Sequence, residues 1–246
     1  MNATVARLTS RAILGRRRAL LLLLLPAALL VICVLARVLA GAGPDGADGL
    51  AAELLNGFGL AVLLPLLALI AGTGAIGPEI DDGSIVYLLA KPLRRSVIVV
   101  TKALVAIGIV TLFGALPVLI GGVIMTGGLG AVPVGYGVGS LLAGIAYSAV
   151  FLLLAVVSRN AVVLGLLYAL LWESLIGQFV PGAQALSIQQ WSLAVTQSVV
   201  GADAERLGIA SAVGLPVAVV LLTLVTVGSV WYASRRLRTI RLTEDA

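Results

Sequence analysis

The sequence predicts an all-α protein that crosses a membrane several times. Hydrophobic residues make up 61% of its 246 residues and charged residues only 11%, against about 25% charged in a soluble domain. From Ala103 to Ser158 there is no charged residue at all, which is room for two spans of roughly 20 residues each. The Lys and Arg residues stand beside apolar runs, so the net charge of +5 indicates membrane orientation and argues against nucleic-acid binding.

The scarcity of reactive side chains excludes several classes of function. Cys33 is the single cysteine and lies in an apolar run, so an intramolecular disulfide is excluded and a small buried residue is expected. Histidine is absent and methionine occurs twice, which leaves a metal path without its usual soft or imidazole ligands, although carboxylate-lined paths stay open. Without a Walker A loop or a His/Cys cluster, the chain is not expected to be an enzyme.

Residues 1–18 are basic, with five arginines and no acid. Val5, Leu8 and Ala12 recur near helical spacing, which favours an interfacial helix; a disordered basic leader is the alternative. A cleaved signal peptide is disfavoured because the run from Ala19 to Ala36 is long for its apolar segment.

Six membrane spans are predicted from the apolar runs, in a single transmembrane domain with a tail at 234–246. The spans are Ala19–Ala40, Leu54–Ile76, Val97–Met125, Gly135–Val157, Ala161–Val180 and Ala210–Ala233. Arg37 and Lys102, near span ends, are expected to snorkel toward the headgroups. Pro65 is a candidate kink in the second span.

The distribution of basic residues predicts the orientation of these spans. With a cytoplasmic N-terminus, every Lys and Arg except Arg37 and Arg206 falls on the inner side, whereas the first outer loop carries Asp45, Asp48 and Glu53. The positive-inside rule then places both termini in the cytoplasm.

Two regions predict how the outer half of the spans packs. Ala131, Gly135, Gly139 and Ala143 form a small-residue face that permits close helix approach. The segment from about Pro181 to Gly208 is apolar enough to lie on the membrane or re-enter it. We expect one or two short helices there, with Trp191 as an interfacial anchor.

Glu173 is the one charged residue well inside a predicted span. An acid at that depth costs roughly 2.5–3.5 kcal/mol on translocon scales, so it should face protein or water. With Trp172 and Gln178 it is a candidate for a transport pathway or gate. The alternative is a structural contact with Arg37, Gln178 or the outer-segment helices, or proximity to the interface.

The segment Gly77–Ser96 is the long polar interruption that carries both signs of charge. Its acids come first, an apolar core at Ile85–Leu89 follows, and its bases come last, an order that favours a short helix along the macrodipole. Pro92 marks a stop, and Gly83 weakens the helix by about 1 kcal/mol. Such a helix suits docking into a partner's groove; an ordinary inner loop or a helix on the inner leaflet is the alternative.

The same segment resembles the signature of type-2 ABC transporter permeases. That pattern runs approximately E-x-x-x-G-T/S, then L-L-x-x-P-x-x-R, then a Lys at the next span. The matching and neighbouring residues are Glu79, Asp81, Asp82, Gly83, Ser84, Tyr87, Leu88, Leu89, Lys91, Pro92, Arg94, Arg95 and Lys102. The run Trp172-Glu173-Ser174 followed by Pro181-Gly182 and Leu186-Ser187 also resembles one common among bacterial members.

The resemblance implies the membrane subunit of a bacterial ABC exporter in the cytoplasmic membrane. It implies a coupling helix at 77–96, a basic elbow helix at 1–18, and a separate ATP-binding subunit that holds ATP and Mg²⁺, with no cofactor in this chain. It also implies a homodimer or a heterodimer with a second permease. Two other functions stay open: a non-transporting scaffold that recruits a cytoplasmic protein, and a proton-coupled carrier that uses Glu173.

Overall fold

The structure is a computed structural model that describes residues 3–40, 44–81, 95–158, 160–176, 182 and 184–239. Within these ranges the protein is helical and has no β-strand, which confirms the all-α prediction. The α-helices are α1 Ala3–Ile13, α2 Arg16–Ala40, α3 Pro44–Leu54, α4 Leu64–Asp81, α5 Arg95–Val110, α6 Leu116–Thr126, α7 Ala131–Val157, α8 Ala161–Leu167, α9 Ile188–Val200 and α10 Leu215–Thr239. Three π-helical segments continue α3, α5 and α8, namely Leu55–Leu63, Thr111–Ala115 and Tyr168–Ile176.

Five helical stretches of the described chain are long and apolar enough to cross a membrane, so the protein is a multi-pass membrane protein. They are Leu22–Leu39, Ala47–Gly77, Ser96–Thr126, Ala131–Val157 and Leu215–Leu237. The predicted span at 161–180 corresponds to a shorter apolar helix, Ala161–Glu173, and residues 177–180 lie outside the described ranges. Helices suit the bilayer because they satisfy their own backbone hydrogen bonds.

Several predicted boundaries differ from the structure, and two of the differences change how a segment is described. The second span is preceded by helix α3 from Pro44, so Asp48 and Glu53 lie on a helix rather than in a loop. The last helix starts at Leu215 instead of residue 210, directly after Gly214 and with Pro216 in its first turn. Proline is tolerated in a first turn because its missing N–H would have no partner in the helix there.

Two of the π-helical segments end two residues before a proline. Leu64 N–H bonds to the Gly59 carbonyl and Leu116 N–H to the Thr111 carbonyl, each five residues back. A proline inside a helix has no N–H to donate and its ring presses on the carbonyl four residues earlier. The wider π-helical turns ahead of Pro65 and Pro117 accommodate the missing hydrogen bond and the proline ring. In the second span, where Pro65 was a candidate kink, the helix is therefore irregular over Leu55–Leu63.

Helix α7 is the centre of the bundle. The most extensive helix contacts of the described chain are those of α7 with α4, α9 and α10. Close approach to α4 depends on Gly72, since an added Cβ would lie 2.8 Å from the Phe151 Cβ. The Phe151 ring stacks on Tyr147 and meets Tyr168 edge-on, both at 6.1 Å between centroids. These aromatic contacts join α7 to the segment that follows α8.

We distinguish two ends of the bundle. The proximal end holds the C-terminus of α4 and the N-terminus of α5, and the distal end holds Gly49–Gly57 and the turn Gly127–Gly130. Helix α1 packs against α4 and α5. It buries Val5, Thr9 and Ile13, whereas Leu8 of the predicted apolar face is 49% exposed.

Helix α9 enters the bundle instead of lying on its surface. It packs against α7 and α10 and buries most of its side chains. Trp191 is only 4% exposed and donates its indole N–H to the Ala185 carbonyl at 2.8 Å. The structure therefore differs from the predicted interfacial anchor, because the indole finds its polar partner inside the protein.

Candidate functional site

The proximal end of the bundle contains a buried ion pair between α4 and α5. The Lys102 side chain is completely buried, and its Nζ donates to Glu79 Oε1 at 2.7 Å and to the Ala75 carbonyl at 2.5 Å. Ala75 and Glu79 are four residues apart in the last turns of α4, so they present their oxygens on one helix face. Lys102 was expected to snorkel; it instead turns to α4.

This pair holds the ends of two spans at a fixed distance. A buried ammonium group is strongly unfavourable without a counter-charge and hydrogen-bond acceptors. Lys102 has both, and each comes from α4, while the Glu79 side chain remains 25% exposed. A displacement of α4 relative to α5 at this end therefore separates charges in an apolar setting, which favours movement of the two helices as one unit.

The predicted coupling segment connects the two helices that the pair joins. Asp81 is the last residue of α4 and Arg95 the first of α5, and their side chains are outside what the structure describes. The other predicted coupling residues also lie outside the described ranges: Asp82, Gly83, Ser84, Tyr87, Leu88, Leu89, Lys91, Pro92 and Arg94. Of the coupling set, the structure thus places Glu79 and Lys102 together.

Glu173 occupies a second buried position, in the distal half of the bundle. From Asn160 it lies 13 residues along the chain, roughly 20 Å at helical rise. Its side chain is completely buried. The carboxylate accepts hydrogen bonds from Tyr168 Oη at 2.8 Å, Ser187 Oγ at 2.5 Å, Ile188 N at 3.1 Å and Gln189 N at 3.4 Å.

These bonds place the carboxylate at the N-terminus of α9. Ser187 is the N-cap of that helix and also accepts from Gln190 N. The N-terminal N–H groups and the positive end of the helix dipole favour a negative charge. Glu173 therefore binds the start of α9 to the helix that follows α8.

The pairing of Tyr168 with Glu173 depends on the π-helical segment. The two residues are five apart, a spacing that lies on opposite sides of an α-helix but comes closer together in a π-helix. Sequence reasoning assumed α-helical spacing and missed Tyr168, as it missed Ser187 as a partner. The apolar run carried no proline or glycine within Tyr168–Ile176 that would signal the change.

The other predicted pathway residues are placed differently. Trp172 is partly buried, and Gln178 lies outside the described residues. Arg37 donates to the Met125 carbonyl at the C-terminus of α6, where a cation is favoured by the helix dipole. Of the contacts predicted for Glu173, the structure contains the one with the outer segment, at Ser187 and Ile188. The role of Glu173 in a gate stays a prediction.

The small-residue face of α7 contacts α9 directly. A Cβ added at Gly135 would lie 3.1 Å from the Thr196 carbonyl, and one at Gly139 would lie 2.9 Å from the Ser192 carbonyl. Ala143 is buried on the same helix. The Thr196 hydroxyl donates to the Gly135 carbonyl at 3.2 Å. Small side chains let the two backbones approach closely.

Comparison with known families gives a match over most of the chain. Residues 14–176 match the model of a family described as "ABC-2 family transporter protein". The matched region includes the Glu79–Lys102 pair and Glu173, and it ends before α9. Among curated proteins, no sequence matches this one.

Proposed function

The chain belongs to the ABC-2 family of transporter proteins, a class of membrane transport components, and from that premise we propose that it is the permease subunit of an ATP-driven exporter. In this proposal six spans cross the bacterial cytoplasmic membrane with both termini inside, as the placement of Lys and Arg favours. A separate ATP-binding subunit supplies ATP and Mg²⁺, and two permease chains form the pathway because one chain offers few polar positions.

The Glu79–Lys102 pair is the observation that supports this function best. It joins α4 and α5, the helices that carry the two ends of the segment 77–96, which we assign as the coupling segment. A partner that displaces this segment would move both spans together, because relative motion of α4 and α5 breaks a buried ion pair. Charge at Asp82 and Arg94 is assigned to the contact with the ATPase.

The decisive experiment compares two variants purified from the native membrane in mild detergent. In the first, residues 82–94 are replaced by Gly and Ser, which leaves Glu79 and Lys102 in place. In the matched control, Gly and Ser are inserted into the exposed turn Gly127–Gly130 at the distal end. Wild type and control should retain a nucleotide-binding protein with a Walker A loop, and the first variant should lose it.

Transport assays then separate the exporter from its alternatives. Reversing the charges at Asp82 and Arg94 should uncouple ATP hydrolysis from transport in reconstituted vesicles while insertion remains normal. Normal stimulated hydrolysis and transport in that variant would contradict the coupling assignment. Retention of no Walker A protein by wild type would favour a scaffold, and transport without ATP that is lost in Glu173→Gln would favour a proton-coupled carrier.

A further inference from the structure

A polar cavity of about 670 Å³ opens at the distal end of the bundle. Its walls come from the α3 region, from α7, from α9 and from the segment before α10, and include Glu53, Asn56, Gly57, Tyr136, Gln189 and Gln190. Glu53 and Glu79 are 26 residues apart, roughly 35–40 Å along a helix, so the cavity is remote from the proximal ion pair. Its volume falls within the usual range for small-molecule sites, about 300–1,000 Å³.

The cavity wall contains a hydrogen-bond acceptor that the protein does not satisfy. Gln189 is only 2% exposed, and its Nε2 donates to Asn56 Oδ1 at 3.1 Å. Its Oε1 is buried and accepts no hydrogen bond from any residue that the structure describes. A buried unpaired carbonyl oxygen costs about 1–3 kcal/mol, so a ligand that donates to Gln189 recovers free energy that folding leaves unrealised.

The charge of the wall is negative and uncompensated. Glu53 is exposed at the cavity, and no ion pair joins it to another described residue. The lining contains no Lys or Arg. Tyr136 also belongs to the wall, but at 1% exposure its ring has almost no free surface. The exposed Glu53 carboxylate and the unsatisfied Gln189 oxygen together favour a ligand that is both cationic and a hydrogen-bond donor.

We propose that this cavity is a binding site for a protonated primary amine on a small organic body. The ammonium group pairs with Glu53 and donates to Gln189 Oε1, whose amide group turns toward the cavity to meet it, and the body of the ligand lies in the cavity beside Gly57. The amine belongs either to a free organic molecule or to the headgroup of an aminophospholipid, which offer the same chemistry. The site needs no nucleotide and no partner subunit, so it stands independently of the exporter proposal.

Binding is tested with the full chain in phosphatidylcholine nanodiscs, using dansylcadaverine as the amine and its N-acetyl derivative as the neutral analogue. Fluorescence anisotropy, corrected with empty nanodiscs, should show saturable binding of the amine. Loss of a charge-assisted hydrogen bond should weaken binding about fivefold. We expect this fivefold weaker binding for the acetylated probe with wild type and for the amine with Glu53→Gln. The Glu53→Gln variant should bind the amine and the acetylated probe with the same affinity.

Two more variants fix the location. Gly57 lines the cavity, and nothing lies within 4 Å of a Cβ added there. Gly57→Leu should therefore narrow the cavity and abolish saturable binding of the amine. Glu205→Gln removes an exposed acid outside the lining and should bind as wild type does. Unsaturable binding, wild-type affinity in Glu53→Gln, or equal weakening in Glu205→Gln would overturn the proposal.

A final arm identifies the source of the amine. Phosphatidylethanolamine added to the nanodiscs should compete with dansylcadaverine if a lipid headgroup is the ligand. Unchanged affinity in those nanodiscs, with the variant effects intact, assigns the site to a free amine. Either result supports an amine site, because both depend on Glu53 and on the cavity at Gly57.

Discussion

The two ends of the bundle bury charge in different ways. At the proximal end, Lys102 has an opposite charge, Glu79, on a neighbouring helix. In the distal half, Glu173 has no cation partner among the described residues and is surrounded by hydrogen-bond donors. The ion pair consists of two side chains on different helices, so it breaks if those helices move apart. The Glu173 cluster includes backbone N–H groups of α9, which are fixed in that helix. The proximal pair therefore joins the ends of two helices, whereas the distal cluster holds the start of α9 in place.

The exposed apolar surface of the bundle is concentrated on peripheral helices, away from both sites. Within an 18-residue apolar stretch of the span Ala131–Val157, 61% of residues are buried, against 22% for the span Leu22–Leu39 and 17% for Leu215–Leu237. The peripheral helices α2 and α10 thus leave broad apolar surfaces to the bilayer or to another subunit. Both buried charges lie away from these surfaces, where the desolvation of an unpaired charge would be greatest.

The largest effect is expected from breaking the proximal pair on its exposed side. Glu79→Leu leaves the fully buried Lys102 ammonium without a counter-charge and should cost about 3–5 kcal/mol. Lys102→Met should cost less, because the Glu79 side chain that remains is 25% exposed, whereas the Lys102 side chain is completely buried. Unfolding in lipid–detergent mixtures measures both values. The double variant should be more stable than Glu79→Leu alone; equal stability of the two single variants would contradict a buried charge pair.

A smaller effect is expected when the distal cluster loses its acceptor. Glu173→Leu leaves the Tyr168 and Ser187 hydroxyls and the Ile188 N–H without their acceptor. Hydroxyl groups can rotate toward other acceptors, so we expect a cost of about 2–4 kcal/mol, equivalent to one or two buried unpaired groups at 1–3 kcal/mol each. Glu173→Gln keeps one acceptor oxygen and should cost about half as much. Hydrogen exchange at the first turn of α9 should increase in both variants. Unchanged exchange there would contradict the role of Glu173 in holding α9.

The smallest effect of the three is expected from the contact between α7 and α9. In Gly139→Ala the new Cβ would lie 2.3 Å from Thr196 Oγ1 and 2.9 Å from the Ser192 carbonyl, so overpacking should cost about 1–3 kcal/mol. Gly108→Ala is the matched control, since nothing lies within 4 Å of its Cβ. It should be neutral or slightly stabilising in the same unfolding assay. If Gly139→Ala were as stable as Gly108→Ala, the α7–α9 contact would tolerate a side chain at this position and the prediction would be wrong.

Sequence reasoning identified residues at both sites but not their partners. It singled out Glu79 and Lys102 for coupling, and Glu173 as the charge inside a span, because charged residues are conspicuous in apolar runs. It did not pair Glu79 with Lys102 or find Tyr168 and Ser187. These partners are brought together by helix packing and by a π-helical turn, and neither leaves a periodic pattern in the chain. The prolines that follow two of the π-helical segments, Pro65 and Pro117, are visible in the sequence. Only Pro65 was predicted to distort its helix.

The sequence by itself determined that this protein is an all-helical, multi-pass membrane protein, because long apolar runs without charge must satisfy their backbone hydrogen bonds internally. Only the tertiary structure decided which buried charge is compensated by which partner, and that α9 enters the bundle with Trp191 inside it. Those outcomes depend on donors and acceptors within about 3 Å across different helices. Such contacts are set by helix packing and are not encoded in the local order of residues.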